Sequence, residues 1–247
     1  MDKLLYVAMS GAKETLRAQA ANTHNLANAS TTGFKADLSA FQSRAVTGPG
    51  YASRVYATDQ TVGWNHAIGP QEQTGNPLDL AIHGQGFFAV QDGNGKEAYT
   101  RAGDLHVDPT GQLLTATGLP VLGDNGPISV PPSTSTTVGA DGTISIVPLG
   151  QSPQTAAKVA RIKLVNPPLD TLQRGADGLF RTSDGAPAVA DASATVASGS
   201  LEASNVDLAT CMVNMIELAR RFDLQVKALH TAEEDGAASA KLLRNTG

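Results

Sequence analysis

The sequence predicts an α+β protein in which two terminal helices pair as an antiparallel coiled coil around a central antiparallel β domain, joined to the first helix by an extended connector. Three observations carry this expectation. Apolar residues recur at alternating steps of four and three near both ends, the spacing of a helical seam. The middle breaks into short apolar or alternating runs, and Asp-Gly and Asn-Gly pairs punctuate it, as hairpin turns do. The expected boundaries are 1–30 for the N-terminal helix, 31–75 for the connector, 76–204 for the β domain and 205–247 for the C-terminal helix. The first and last segments together would form one helical assembly domain.

The N-terminal seam reads Leu5, Met9, Ala12, Leu16, Gln19, Thr23 and Leu26. The opening MDKLLYVAMSGA has a lysine before an apolar run, but that run is short and Glu14 and Arg17 follow, so it reads as helix and not as a secretory leader. Residues 36–73 keep neither period for long, are polar, and contain Gly48-Pro49-Gly50, which suggests an extended connector. From residue 76 onward LDLAI (78–82), FFAV (87–90), TISIV (143–147) and RIKLV (161–165) read as strands. Between them stand Asp92-Gly93, Asn94-Gly95, Asn125-Gly126, Asp141-Gly142, Asp177-Gly178 and Asp184-Gly185. The C-terminal seam Leu208, Met212, Met215, Ala219, Phe222, Val226 and Leu229 has no polar member, with Asn205 as its expected cap. Beyond Leu229 it falters at Glu233 and Gly236.

Composition limits what such a chain can be. Among 247 residues there are 37 alanines but only 11 aromatics, so any single core is thin, since burial stabilises by about 25 cal/mol per Å². The net charge of −5, without a basic block, gives no footprint for a nucleic-acid backbone. The lone Cys211 excludes an intrachain disulfide and a cysteine metal cluster. Gly84-Gln85-Gly86-Phe87-Phe88-Ala89 fits the dinucleotide pattern, but the strand FFAV continues where a helix should start. His24, His66, His83, His106 and His230 lack metalloprotease spacing, and no nucleophile elbow occurs. Neither a catalytic residue, a cofactor site nor a small-molecule substrate is expected.

Each terminal helix must bury its seam somewhere, and the natural partner is the other helix. The polar Gln19 and Thr23 make that pairing thin, so neighbouring molecules are expected to complete it. At the end of the first helix Asn22, Asn25 and Asn28 recur every three residues, Gly33 permits a sharp turn and Phe34 can anchor the chain. Two readings stand together here: the asparagines finish the helix with local backbone bonds, or they reach a neighbouring subunit.

The string NTHNLANASTTGFK (22–35) resembles the N-terminal signature of the bacterial flagellar axial proteins, the rod and hook family. LDLAIHGQGFFAV (78–90), YTRAGDLHVDPTGQL (99–113) and SGSLEASNVDLATCMVNMIELARRFDLQVK (198–227) match the same family in the same order. The chain length, the short connector and the ARRFDLQ segment fit its proximal-rod members better than its distal-rod ones. The resemblance implies a structural subunit of the flagellar basal-body rod that spans the periplasm and transmits torque. It also implies export through the flagellar export apparatus without a cleaved signal peptide, and assembly with itself and with other rod proteins. The expected assembly interface comprises Leu5, Met9, Leu16, Asn22, Asn25, Leu26, Asn28, Phe34, Leu208, Met212, Met215, Phe222, Val226 and Leu229. The alternatives are a distal-rod or hook subunit of the same family and, from another class, a secreted β-domain binding module or hydrolase.

Overall fold

The computed structural model describes residues 3–45, 55–151 and 155–245. The chain is α+β and divides into two compact units. The first unit comprises Met1–Ala29, Ala36–Asn65 and Val206–Gly247; the second comprises Ser30–Lys35 and His66–Asn205.

The first unit is built on two long helices, α1 (Lys3–Ala27) and α2 (Leu208–Asn245). Both are rich in alanine and other good helix formers and contain no proline. Asp207 is the N-terminal cap of α2: one carboxylate oxygen accepts from the Ala209 amide at 3.1 Å and the other from the Thr210 hydroxyl. Asn205, the expected cap, instead sends its side-chain amide to the Ala67 carbonyl. Between the helices in sequence, β1 (Asp37–Ala45) and β2 (Val55–Trp64) form an antiparallel ladder with Asp37 opposite Trp64 and Ala45 opposite Val55. Part of the expected extended connector is thus paired strand. The segment from Val55 to Trp64 carries Val, Tyr and Thr residues that favour a pleated backbone even though their alternation is weak. Gly48-Pro49-Gly50 lies outside the described residues.

α1 packs against α2 and also against the β1–β2 pair. Asn22 reaches Cys211 while Gly11 faces the Gln225 side chain, so the two helices run antiparallel. The second neighbour turns α1 away from the expected orientation. Its buried face is Ala8, Gly11, Ala12, Glu14, Thr15, Ala18, Asn22 and Asn25; of the expected seam Ala12 is buried and Leu5, Gln19 and Leu26 are half-buried, while Met9, Leu16 and Thr23 are exposed. On α2 Cys211, Leu218 and Ala232 are buried, and Met215, Phe222, Gln225, Val226 and Leu229 are half-buried between them. This inner stripe shares Met215, Phe222, Val226 and Leu229 with the expected seam, but Leu208 and Met212 face outward.

The second unit is a set of small antiparallel sheets. Its strands are β3 (Gln71–Gln73), β4 (Leu80–His83), β5 (Phe87–Gln91), β6 (Glu97–Thr100), β7 (Leu105–Val107) and β8 (Leu113–Thr115). There follow β9 (Leu122–Gly123), β10 (Gly126–Pro127), β11 (Ser133–Val138), β12 (Thr143–Pro148), β13 (Ala157–Arg161) and β14 (Leu164–Val165). The last are β15 (Leu172–Arg174), β16 (Phe180–Thr182), β17 (Thr195–Ser198) and β18 (Ser200–Glu202). The largest sheet has the order β14-β5-β6-β16-β15, and β11-β12-β13 form another. β17 returns late in the chain to pair with β4, and β18 with β3, so the end of this unit closes onto its beginning.

One core runs through Leu80, Ile82, Phe88, Leu113, Ile144 and Ile162. Phe87 turns the other way and packs its ring 5.2 Å from that of Phe180, as alternation along a strand requires. Four of the six Gly-containing pairs close hairpins: Asn94-Gly95 between β5 and β6, Asn125-Gly126 between β9 and β10, Asp141-Gly142 between β11 and β12, and Asp177-Gly178 between β15 and β16. Gly103 is required for a different reason, because a Cβ there would lie 1.8 Å from the Leu80 carbonyl oxygen.

Aspartates hold many of these turns. Asp108, Asp141 and Asp191 each accept from a nearby Thr or Ser hydroxyl and from backbone amides, which holds their carboxyls below the usual range. Asp92 and Asp177 are lowered chiefly by their bonds to the Arg181 guanidinium.

Two outcomes follow for the β unit. Gly103→Ala forces backbone apart at the core edge and should cost at least about 1–3 kcal/mol in urea unfolding. Because the turn aspartates bind protons less readily folded than unfolded, their contribution is full above the ordinary carboxyl pKa of about 4 and is lost as pH falls through their lowered values. Unfolding free energy measured from pH 6 downward should therefore drop below about pH 4; a flat profile there would contradict the turn assignments.

Candidate assembly interface and a buried ion-pair clasp

The three asparagines at the end of α1 have three different partners. Asn22 is buried and its Nδ2 donates to the Cys211 carbonyl at 2.8 Å, crossing from α1 to α2 near the first turn of α2. Asn25 donates from Nδ2 to the Asp37 carbonyl at 2.9 Å and accepts the Asp37 amide on Oδ1 at 2.7 Å. It thereby acts as a substitute backbone partner at the start of β1, and His24 Nδ1 lies 2.6 Å from Oδ2 of the same aspartate. Asn28 stays local, donating to the His24 carbonyl at 2.9 Å. These bonds supply partners within the chain where the helix runs out of its own.

Gly33 follows with φ of 67°, a left-handed conformation that glycine adopts freely. A Cβ at this position would also lie 2.3 Å from the carbonyl carbon of Arg101, so the backbone passes too close for a side chain. Phe34 is buried, with the Arg174 guanidinium 4.3 Å above its ring, a cation–π contact. Arg174 also donates to the Lys35 carbonyl at 2.8 Å.

Lys35 then ends in a fully buried cluster. Glu202 is 0% exposed, and Lys35 and Arg101 are each 3% exposed. Glu202 Oε1 accepts from Lys35 Nζ at 2.6 Å and from the Gly69 amide at 3.0 Å. Oε2 accepts from Arg101 Nε at 2.8 Å and also from Arg101 Nη2. Further donors are used as well: Lys35 Nζ bonds the Ala67 carbonyl, and Arg101 Nη1 bonds the carbonyls of Gly84 and Gly86. Burial lowers the Lys35 pKa, and the Glu202 carboxylate offsets only part of that. Gly84 and Gly86 of the dinucleotide-like pattern are therefore acceptors for a buried arginine, ahead of a strand.

The interface residues expected from sequence fall into three groups. Asn22, Asn25 and Phe34 are buried within the subunit. Leu5, Leu26, Asn28, Met215, Phe222, Val226 and Leu229 are half-buried. Met9 and Leu16 on α1 and Leu208 and Met212 on α2 are exposed. Tyr6, Val213, Ile216 and Leu224 join this exposed set and were outside the expected seams. Several of the larger apolar side chains of both helices thus point outward, while the buried positions of α1 are Ala, Gly, Thr and Asn with Glu14.

The clasp residues Glu202, Arg101, Lys35 and Gly69 escaped pattern reading because none belongs to a periodic run. A signal was present: Glu202 is the only formally charged residue between Asp191 and Asp207, inside SGSLEAS. Cys211 is buried, its thiol pKa raised by that burial. Among the described residues no group of three or more His, Cys, Asp or Glu could hold a metal ion, and no helix is long and apolar enough to cross a membrane.

Comparison with known proteins covers both units. Residues 5–35 match the family described as flagella basal body rod protein, residues 81–146 the flagellar hook protein FlgE/F/G D1 domain, and residues 197–242 the flagellar basal body rod FlgEFG protein C-terminal family. The chain is 43% identical to flagellar basal-body rod protein FlgF of Escherichia coli, over 98% of this chain and 99% of that protein. It is 43% identical to FlgF of Salmonella typhimurium over the same shares, and 37% identical to FlgF of Caulobacter vibrioides over 98% of both chains.

Substitutions in the clasp should rank by the charge they strand. Glu202→Gln leaves two buried cations facing each other and should cost about 3–5 kcal/mol. Lys35→Met should cost clearly less, because Arg101 and Gly69 still satisfy the carboxylate. The pH dependence has a definite sign. A lysine whose folded pKa is lowered binds fewer protons folded than unfolded, so stability rises with pH from that lowered value toward the ordinary 10.5. Lys35→Met should remove that rise in urea unfolding followed between pH 7 and 10.5.

Proposed function

The chain belongs to the flagellar basal-body rod protein family, and we propose that it is a structural subunit of the proximal rod which enters the assembly through its two terminal helices. The observation that carries this reading is the placement of side chains on those helices. A helix pair stabilised for its own sake would bury its largest apolar residues. Here α1 buries small and polar residues, and Met212, Ile216 and Leu224 of α2 are 51%, 63% and 63% exposed. Outward apolar side chains on both helices favour packing against further helices, and a face that runs along the helix is covered by lateral neighbours.

In this reading the paired helices form an antiparallel coiled coil whose small inner stripe holds the subunit together. The outer face, Tyr6, Met9 and Leu16 with Leu208, Met212, Val213, Ile216 and Leu224, meets other copies and other rod proteins. Residues 1–30 and 205–247 act as the assembly domain, 31–75 as the connecting segment with its strand pair, and 76–204 as an outer β layer that stiffens the shaft against torque. Asn22, Asn25, Asn28 and Phe34 position this interface from within, and Met215, Phe222, Val226 and Leu229 border it. The work is mechanical, with no catalytic step or cofactor. Export through the flagellar export apparatus without a cleaved signal peptide, and residence in the periplasm-spanning rod, belong to the same proposal. A hydrolase or a small-molecule binder has no observation in its favour.

Charge placed on the outer face separates assembly from folding. Ile216→Asp combined with Leu224→Asp should leave the thermal unfolding of the purified subunit nearly unchanged, since substitutions at exposed sites stay within about 0.5 kcal/mol. The same pair should abolish swimming when it replaces the native chain, with basal bodies halted before the rod is complete. Leu218→Ala, in the inner stripe, should instead lower the stability of the free subunit by about 2–3 kcal/mol. Normal motility of the double aspartate variant would overturn the proposed interface.

A further inference from the structure

We infer that the Lys35–Glu202–Arg101 cluster is a latch that keeps α1 and α2 paired in the free subunit, although none of its three residues belongs to either helix. The argument starts from where the cluster lies along the chain. Lys35 stands eight residues after the last residue of α1, and Glu202 six residues before the first residue of α2. Around the ion pair the two segments run side by side: the Gly33 amide donates to the Glu202 carbonyl at 2.7 Å, and the Asn205 amide to the Phe34 carbonyl at 3.3 Å. The latch therefore joins the exit of one helix to the entry of the other, positions 167 residues apart in sequence at their charged pair.

Its chemistry suits a closure with two states. When residues 30–35 are seated, every donor of Lys35 named above and both oxygens of Glu202 are occupied. When they leave, Glu202 keeps Arg101 and the Gly69 amide, so β18 has partners without the strap and the β unit can remain folded. The α1–α2 stripe is thin, built on Ala8, Gly11, Thr15 and Ala18. Such a stripe pairs well only when its two helices start close together. Opening the latch lengthens the free tether between them, and the entropy of closing a tether grows with its length. The latch thus converts a weak helix contact into a held one, and the chain cannot hold it until β18, near the end of the β unit, has formed. The inference rests on the helix pair being the assembly element only for its biological weight; the pairing itself is a property of the free subunit.

Cys211 supplies the readout. It is the only cysteine in the chain, it is buried, and its carbonyl accepts the bond from Asn22 of α1. The rate at which an aromatic disulfide reagent labels Cys211 in the dilute full-length subunit reports opening of the helix pair. Two variants open the latch by different means. Gly33→Ala drives a methyl group into the Arg101 backbone without changing any charge. Lys35→Glu places a second carboxylate against Glu202 while Arg101 keeps its bonds. Each should raise the labelling rate about tenfold, with the backbone amides of Leu80, Ile82 and Phe88 still protected from hydrogen exchange. Unchanged labelling in both variants would overturn the latch. Loss of core protection in both would also overturn it, because the cluster would then be part of the β core and not a separable closure. Neither failure bears on the outer-face variants, whose readout is rod completion, so the two ideas fall independently.

Discussion

A carboxylate with no access to water must find its partners inside the protein, and Glu202 finds four donors from three separate segments. That requirement organises the β unit around it. The strap that follows the first helix, the loop before β3 and the arginine after β6 all converge because an unpaired charge at this depth would cost several kcal/mol. Gly33 and Gly69 allow the close approach of these segments: a Cβ would lie 2.3 Å from the Arg101 carbonyl carbon at the first and 2.0 Å from the Ala203 carbonyl oxygen at the second. The charges give little net stability over an apolar substitute. What they give is a unique register for segments that sequence alone leaves far apart.

The helices obey a different constraint. α1 has two neighbours in its own unit, α2 and the β1–β2 pair, and it turns its small residues toward them. Small residues let backbones approach closely but bury little apolar area, so the pair is held partly by hydrogen bonds such as Asn22 to Cys211. Bulky side chains such as Met9, Leu16, Ile216 and Leu224 are left on the outside. A subunit made this way is adequate alone and better covered in company, which is the property a member of a stacked assembly needs.

How much of this was legible beforehand divides along the same line. The α+β class, the two helices and the hairpin turns were readable because each rests on local periodicity or on turn chemistry, as Asp141-Gly142 and Asp177-Gly178 show. The rotation of the helices was not, because a seam inferred from Leu5, Met9 and Leu16 assumes a single partner helix and cannot register a strand pair on another side. The polar Gln225 and the small Cys211 also hid the true stripe of α2 from any hydrophobic count. The asparagine triplet was readable as a helix exit, but its division into one bond across to α2, two to β1 and one local bond depends on tertiary structure. The clasp was least legible, since its members lie far apart in sequence and only Glu202 stands isolated among neutral neighbours.

The central claim is that each terminal helix has two faces, an inner one for its own subunit and an outer one for its neighbours. Photo-crosslinking within intact rods tests it most directly, with a benzophenone side chain placed at Ile216 on the outer face or at Leu218 on the inner one. The account predicts that position 216 yields crosslinks to other subunits and that position 218 yields only crosslinks within the chain. Crosslinks between subunits from position 218, with none from 216, would contradict it.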